Sequence, residues 1–329
     1  MKIVYASNDG YARHLGTSLY SLLDRNQLEE EITVFVLSIG MSEENQGRLA
    51  AIASHFDREL EFIELGDLQE RFSYEVDTGG FDISAMGRLF LGTVLPEGVQ
   101  KVLYLDCDTV VLGSLRKLWG MDLAGCVLGA VMEPTIYPEI KEQIGLGKED
   151  AYYNSGVLLI DLKRWREEEA EKRLLDFYRE KGKELFACDQ DTINGVFKGQ
   201  IKTLSPRYNF FTNYRYFHYR DLVKQSPAYG KVPKAVFRRA KAHPAIVHYM
   251  GDERPWKAGN RNHYRLAYER YLGKTPWRGT PKEKGQRTYM AAYHAMDYLT
   301  FLCPPVRRYL SRKFGRKAIE NRKKETPGK

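Results

Sequence analysis

Asp106 and Asp108 stand two residues apart, directly after the apolar run Val102-Leu103-Tyr104-Leu105 and just before Val110-Val111-Leu112. Residues two apart in extended chain project from one face, so a strand ending there presents both carboxylates to the same crevice. Two such carboxylates can share a divalent cation. Their oxygens favour hard metals such as Mg²⁺ or Mn²⁺, and an added imidazole tilts the choice toward Mn²⁺. The spacing arises by chance in a chain of this length, and Asp189-Gln190-Asp191 is a second instance. It is the apolar flanks that single out the first. Other chemistries are missing their signatures. Val4-Tyr5-Ala6 is followed by Ser7-Asn8-Asp9-Gly10-Tyr11, with no glycine-rich dinucleotide turn, and the chain has neither a Walker loop nor a G-x-S-x-G elbow. The remaining option is a nucleotide site built from polar side chains and a metal. Cys107, Cys126, Cys188 and Cys303 form no CxxC pair, which argues against a zinc ribbon or redox dithiol and for buried free thiols.

The elements that must hold these side chains are legible from their periods. Ile3 to Ala6 reads as a strand, and Ala12 to Asp24 places Leu15, Leu19, Leu22 and Leu23 on one helical face. Ile32 to Ser38 is a second strand, Ser42 ahead of Glu43-Glu44-Asn45 is a helix cap, and Leu60 to Leu65 is a third strand. This β-α-β-α-β order implies parallel strands, right-handed crossovers and a ligand site at the strands' C-terminal ends. Val102 to Leu105 adds another buried strand. Gly156 to Ile160 adds one more, with Asn154 and Ser155 in the loop before it, and a charged helix follows from Asp161-Leu162 to about Glu184. From Phe210 to Tyr219 the chain turns aromatic and polar, which reads as a substrate-facing loop.

The 329 residues suffice for one large α/β domain with a smaller C-terminal appendage. With 43% hydrophobic and 29% charged residues the chain is neither disordered nor collagen-like, and it has no apolar run long enough to cross a bilayer. The apolar stretch after Met1 is too short for a secretion signal, so the protein reads as cytosolic. A net charge of +8 invites a nucleic-acid reading, but residues 281–329 hold 13 Lys/Arg against 4 Asp/Glu, which leaves the body at −1. Thr288 to Leu302 is aromatic and apolar. After Pro304-Pro305, Val306, Tyr309, Leu310 and Phe314 recur at helical spacing among Arg307, Arg308, Arg312, Lys313, Arg316 and Lys317. A basic amphipathic helix of this kind lies on anionic lipid. The expected division is a catalytic domain over 1–270 and a basic, membrane-associating tail over 281–329.

Six segments in order carry a family resemblance: VYASNDGYA at 4–12, Arg88 in MGRLFL, VLYLDCDTVV at 102–111, YYNSGVLLIDL at 152–162, CDQDTING at 188–195 and HYMGDERPW at 248–256. Together they resemble the retaining glycosyltransferases that include bacterial lipooligosaccharide galactosyltransferases and glycogenin, with the bacterial branch the nearer. The resemblance implies a single Rossmann-like domain, a mixed sheet flanked by helices, to which the small basic helical tail is added. It implies that Asp106, Asp108 and His248 hold Mn²⁺, or Mg²⁺, across the diphosphate of a UDP-sugar. Ala6, Asn8 and Asp9 match the uracil and ribose pocket. Arg88 would reach the diphosphate or the donor sugar, and Gly251 and Arg254 would serve the diphosphate, with Arg254 standing where the family commonly has Lys and Lys257 also able to serve. Asn154 and Ser155 would face sugar hydroxyls, and Asp189 and Gln190 the donor sugar. Glu133, in Val131-Met132-Glu133-Pro134, matches an acidic donor- or acceptor-site position.

The expected function is transfer of galactose or glucose from UDP to a cell-envelope glycolipid or polysaccharide, at the cytoplasmic face of the membrane. An amide such as Gln190 is a poor nucleophile, which favours front-face displacement, with double displacement through Asp189 the alternative. Two rivals are weaker. A nucleic-acid-binding protein would use the basic tail and the aromatics after Phe210 to stack bases, but the nearly neutral body speaks against it, so no nucleic-acid partner is expected. A sugar nucleotidyltransferase would need a glycine-rich signature after its first strand.

Overall fold

The computed structural model describes residues 1–78, 82–285, 287–307, 309, 310 and 313. Ten strands make up two sheets: β1 Lys2–Asn8, β2 Thr33–Ile39, β3 Glu59–Glu64, β4 Lys101–Leu105, β5 Thr109–Val111, β6 Leu128–Met132, β7 Tyr153–Asp161, β8 Ile201–Thr203, β9 Phe210–Phe211 and β10 Ile246–His248. The larger sheet has the order β3-β2-β1-β4-β7-β6-β8 and the smaller the order β5-β10-β9. β1, β2, β3 and β4 run parallel, as do β6 and β8, while β7 lies antiparallel between β4 and β6. The result is a mixed α/β fold, a largely parallel sheet flanked by helices.

Burial follows from strand position. β1 is buried along its interior on both faces, as a central parallel strand must be, whereas edge strand β3 alternates exposed and half-buried residues. Period-two alternation divides the core. Ile3, Tyr5, Leu103, Leu105, Val157 and Leu159 face one hydrophobic cluster, and Val4, Ala6, Val102, Tyr104, Leu158 and Ile160 face the other. Helix α1, Ala12–Arg25, buries Leu15, Leu19, Leu22 and Leu23 in the first cluster. Helix α2, Glu43–His55, starts at Ser42, whose side chain caps Asn45 N at 3.3 Å.

Four expectations are corrected. Asn154 and Ser155 lie within β7, not in a loop before it, because the strand extends back to Tyr153 and irregularly against β6. The charged helix is two, Leu162–Glu167 and Ala170–Lys181, separated where Glu169 takes a left-handed φ of 49°. Phe210, Phe211 and Tyr214 are buried in the core instead of facing substrate. All four cysteines are free, as expected, but Cys303 is exposed and Cys126 half-buried. Of the basic amphipathic segment, Arg308, Arg312, Phe314, Arg316 and Lys317 lie outside the described residues.

The C-terminal helix, Arg287–Leu302, packs onto the body through Met290, His294, Asp297 and Thr300. Phe301 stacks on His218 with ring centroids 4.7 Å apart, and Arg307 pairs with Asp297 at 2.9 Å while covering the Phe217 ring. Glu253, His294 and Asp297 together have the side-chain types of a metal site. His294 Nε2, however, accepts the backbone N–H of Arg261 at 2.8 Å, so the neutral ring keeps its proton on Nδ1, the atom near Asp297. That leaves no ring lone pair for a cation, and Arg307 already supplies positive charge. Burial, reinforced by the charge of Asp297, pushes the Glu253 carboxyl up to about 7. The unfolded chain releases this proton near pH 4.5, whereas the folded chain holds it until about 7. Stability therefore falls as pH rises through that window. Thermal melts at pH 5 and pH 8 should show a Glu253→Gln variant losing less stability between the two than the parent does.

Candidate active site

Asp106, Cys107 and Asp108 link the two sheets, since β4 ends at Leu105 and β5 begins at Thr109. Both carboxylates thus sit at the C-terminal edge of the parallel strands. β10 pairs antiparallel with β5, with His248 opposite Thr109, and this register brings the imidazole beside Asp108. His248 Nε2 lies 3.0 Å from Asp108 Oδ1 and 3.8 Å from Asp106 Oδ2. Its Nδ1 meets Asn209 Oδ1 at 2.9 Å. An amide oxygen only accepts, so Nδ1 carries a proton, and Nε2 is the ring nitrogen that faces the carboxylates, where it donates to Asp108 Oδ1. Ligand atoms of the three side chains lie within 4.8 Å of one another. This donor set fits a divalent cation with mixed oxygen and nitrogen ligation.

Space for that cation depends on Gly156. A Cβ there would lie 2.7 Å from Asp106 Oδ2 and overlap the His248 ring. Burial pushes the Asp108 carboxyl up, but His248 and Arg254 outweigh it and hold the group below the usual carboxylate range. Burial likewise lowers His248, and Asp108 more than reverses this.

Arg88 lies on a 3-10 segment, Ile83–Phe90, and is 3% exposed. Its Nη2 donates to Asp106 Oδ1 at 2.7 Å, its Nη1 to Ser155 O at 2.6 Å, and its Nε lies 3.2 Å from Asp189 Oδ2. The guanidinium also covers the Tyr104 ring at 4.5 Å. Desolvation alone would lower its pKa, but Asp106 and Asp189 raise it. In this structure Arg88 braces Asp106 and leaves Oδ2 of that carboxylate turned toward His248.

Because β7 runs against its neighbours, its first residues arrive at the edge where β4 and β6 end. Asn154 Nδ2 donates to Gln190 Oε1 at 2.7 Å and to Glu133 Oε2 at 3.1 Å. Ser155 N donates to Gln190 Oε1 at 3.1 Å and Ser155 Oγ to Asp189 Oδ2 at 2.8 Å. Asp189 and Gln190 come from the helix Cys188–Val196. Burial raises the carboxyls of both Asp189 and Glu133.

The remaining candidates flank this cluster. Ala6 lies in the buried part of β1, and its carbonyl accepts from Cys107 Sγ at 3.3 Å. Asn8 accepts from Tyr11 N at 3.1 Å and donates to Asp82 at 2.6 Å. One oxygen of Asp9 accepts from Ser42 N, Ser42 Oγ and Asn45 Nδ2 within 2.8 Å, so it braces the start of α2. Gly251 takes a φ of 59°, and Arg254 places Nη2 3.7 Å from Asp108 Oδ2. Sequence reasoning missed Asn209, an amide at the start of an aromatic run. It also passed over Tyr152 and Asp191, which lie inside recognised segments but point into the hydrogen-bond network behind Gln190.

A Rossmann-like sheet with an acidic pair at its C-terminal edge, met by an imidazole from the smaller sheet, is the arrangement expected of a metal-dependent nucleotide-sugar enzyme. The chain belongs to glycosyl transferase family 8, whose profile matches residues 2–259. It is 30% identical to General stress protein A of Bacillus subtilis over 280 residues, which cover 84% of this chain and 94% of that protein. Lipopolysaccharide 1,3-galactosyltransferase of Salmonella typhimurium is 22% identical over 84% of this chain and 78% of its own length. The crystal structure of galactosyltransferase LgtC with donor and acceptor sugar analogues superposes with a TM-score of 0.71 at 29% identity, covering 84% of this chain and 96% of that one.

Gly156→Ala should weaken divalent-cation binding at least about tenfold while costing only about 1–3 kcal/mol of stability. Calorimetric Mn²⁺ titration beside urea unfolding separates the two effects.

Proposed function

We propose that this chain is a retaining, Mn²⁺-dependent hexosyltransferase that moves galactose or glucose from UDP to a cell-envelope glycolipid or polysaccharide. The observation that carries this reading is the convergence of His248 Nε2 with Asp106 and Asp108 while Asn209 engages Nδ1. Asp106, Asp108 and His248 would hold a divalent cation, Mn²⁺ in preference to Mg²⁺, which would supply positive charge to a leaving diphosphate. Arg254 adds a second positive charge beside Asp108, and Gly251, in its left-handed conformation, lets the backbone turn into that loop. Ala6, Asn8 and Asp9 stand at the end of β1, where a uridine would lie against the sheet edge.

Sugar-side geometry supports front-face displacement. Gln190 Oε1 already accepts from Asn154 Nδ2 and Ser155 N, so it is not a free nucleophile. The Asp189 carboxylate is engaged by Ser155 and Arg88. Both residues therefore orient the donor sugar and stabilise its developing positive charge, while Glu133, held by the fully engaged amide of Asn154, offers a carboxylate edge to donor or acceptor hydroxyls.

The catalytic domain is assigned to residues 1–270 and the basic tail to 281–329, the tail holding the enzyme on anionic lipid at the cytoplasmic face of the membrane. No described helix is long and apolar enough to cross a membrane. Leu299 and Leu302, at the end of the C-terminal helix, and Val306 and Tyr309 beyond it are exposed apolar side chains, which supports this reading. The nucleic-acid alternative loses its stacking platform, because the aromatics after Phe210 are core residues.

Incubation with UDP-galactose and UDP-glucose, each with Mn²⁺, Mg²⁺ or EDTA, tests the assignment through slow release of UDP without acceptor. Asp106→Ala and Asp108→Ala should each lower it at least about a hundredfold, and undiminished turnover in both would sink the metal site. Vesicles containing phosphatidylglycerol should sediment the full chain but retain less of one lacking residues 314–329.

A further inference from the structure

His248 sits between two carboxylates, and both attract a proton to Nε2, the atom that a metal needs free. Something must hold the neutral ring's proton on the opposite nitrogen. Asn209 is in place to do so, and its orientation is fixed by backbone groups whose polarity is unambiguous. Gly156 N donates to Asn154 Oδ1 at 2.9 Å, and Ser155 N donates to Gln190 Oε1 at 3.1 Å. Asn154 must therefore direct its oxygen at Asn209 and its nitrogen at Gln190. Asn209 Nδ2 donates to that oxygen at 2.7 Å, which leaves Asn209 Oδ1 facing His248 Nδ1 at 2.9 Å.

The polarity continues beyond Gln190. Its Nε2 donates to Tyr152 OH at 3.0 Å, Tyr152 donates to Asp191 Oδ1 at 2.5 Å, and Asp191 Oδ2 accepts the N–H groups of Phe186 and Ala187 at 2.7 and 2.8 Å. Every donor from His248 to Asp191 points the same way. Turning over any one amide would break two bonds and set donor against donor. At 1% exposure Asn209 has no water to replace a lost partner.

We propose that Asn209 is a positioning residue that locks His248 in its metal-ligating tautomer and, through Asn154, ties that choice to the orientation of the Gln190 amide. The metal-facing and sugar-facing halves of the site are thereby set by one hydrogen-bond relay. This inference rests on the metal reading proposed above and extends it to a residue that touches neither cation nor substrate.

Long-range ¹H–¹⁵N spectra of histidine-labelled, metal-free protein at alkaline pH, where the ring is neutral, should show the His248 proton on Nδ1. Asn209→Leu removes the acceptor and should weaken Mn²⁺ binding, followed by calorimetry or electron paramagnetic resonance, by roughly 10- to 100-fold. Asn209→Asp keeps an acceptor toward His248 but loses the donor to Asn154, so it should hold the Nδ1 proton and bind Mn²⁺ within about threefold of the parent. A parent ring protonated on Nε2, or a folded Leu variant with parental Mn²⁺ affinity, would overturn the proposal. If the Leu variant does not fold, the parent spectrum and the Asp variant still decide. Failure of the parent to bind Mn²⁺ would instead defeat the metal reading, and the tautomer measurement would still judge Asn209.

Discussion

Two carboxylates side by side in a largely buried seam repel each other, and the arrangement persists only because positive charge surrounds them. Arg88 takes one oxygen of Asp106, and His248 and Arg254 face Asp108. Arg88 cannot rotate away, because Ala85 O, Ser155 O and Asp189 hold the rest of its fork. Removing either side of this balance would leave a buried charge uncompensated, which typically costs about 3–5 kcal/mol. The 3-10 segment that carries Arg88, the register of β10 and the loop after it are all constrained by this one electrostatic requirement.

The sheet meets that requirement through two departures from simple parallel order. β4 gives way to β5 across only three residues, so Asp106 and Asp108 end up between sheets where β10 can reach them. β7 reverses direction and returns Asn154, Ser155 and Gly156 to the same edge. A strand parallel to its neighbours would have delivered those residues to the far end. The side chains that surround the carboxylates thus come from sequence positions more than a hundred residues apart, His248 and Ser155 from strands, Asp189 from a helix, and Arg88 and Arg254 from the segments between.

His248 and His294 show how little a residue type says about its chemistry. Each stands beside two carboxylates. A side-chain oxygen accepts from Nδ1 of His248 and leaves Nε2 facing the two aspartates, whereas a backbone N–H occupies Nε2 of His294 and keeps the proton on Nδ1. Only on the first ring can the nitrogen that faces the carboxylates exchange a proton for a cation. The second ties the C-terminal helix to the body at Arg261 N, beside the Asp297–Arg307 pair.

Local sequence determined the alternating elements, the Ser42 cap, the acidic pair after a buried strand and the ordered segments that mark the family, because each is written in neighbouring residues and fixed by backbone geometry or apolar periodicity. It also singled out Asp106, Asp108, His248, Asn154, Ser155, Asp189 and Gln190, which the structure gathers at one edge. Tertiary structure alone decided that Asn154 and Ser155 belong to a strand, that the Phe210 aromatics are core, and that Arg88 braces a carboxylate. It alone revealed Asn209, whose neighbours in sequence are aromatic and whose partners lie 39 and 55 residues away. Hydrogen-bond polarity and charge compensation act between atoms that only the folded chain brings within 3 Å, so no local pattern can encode them.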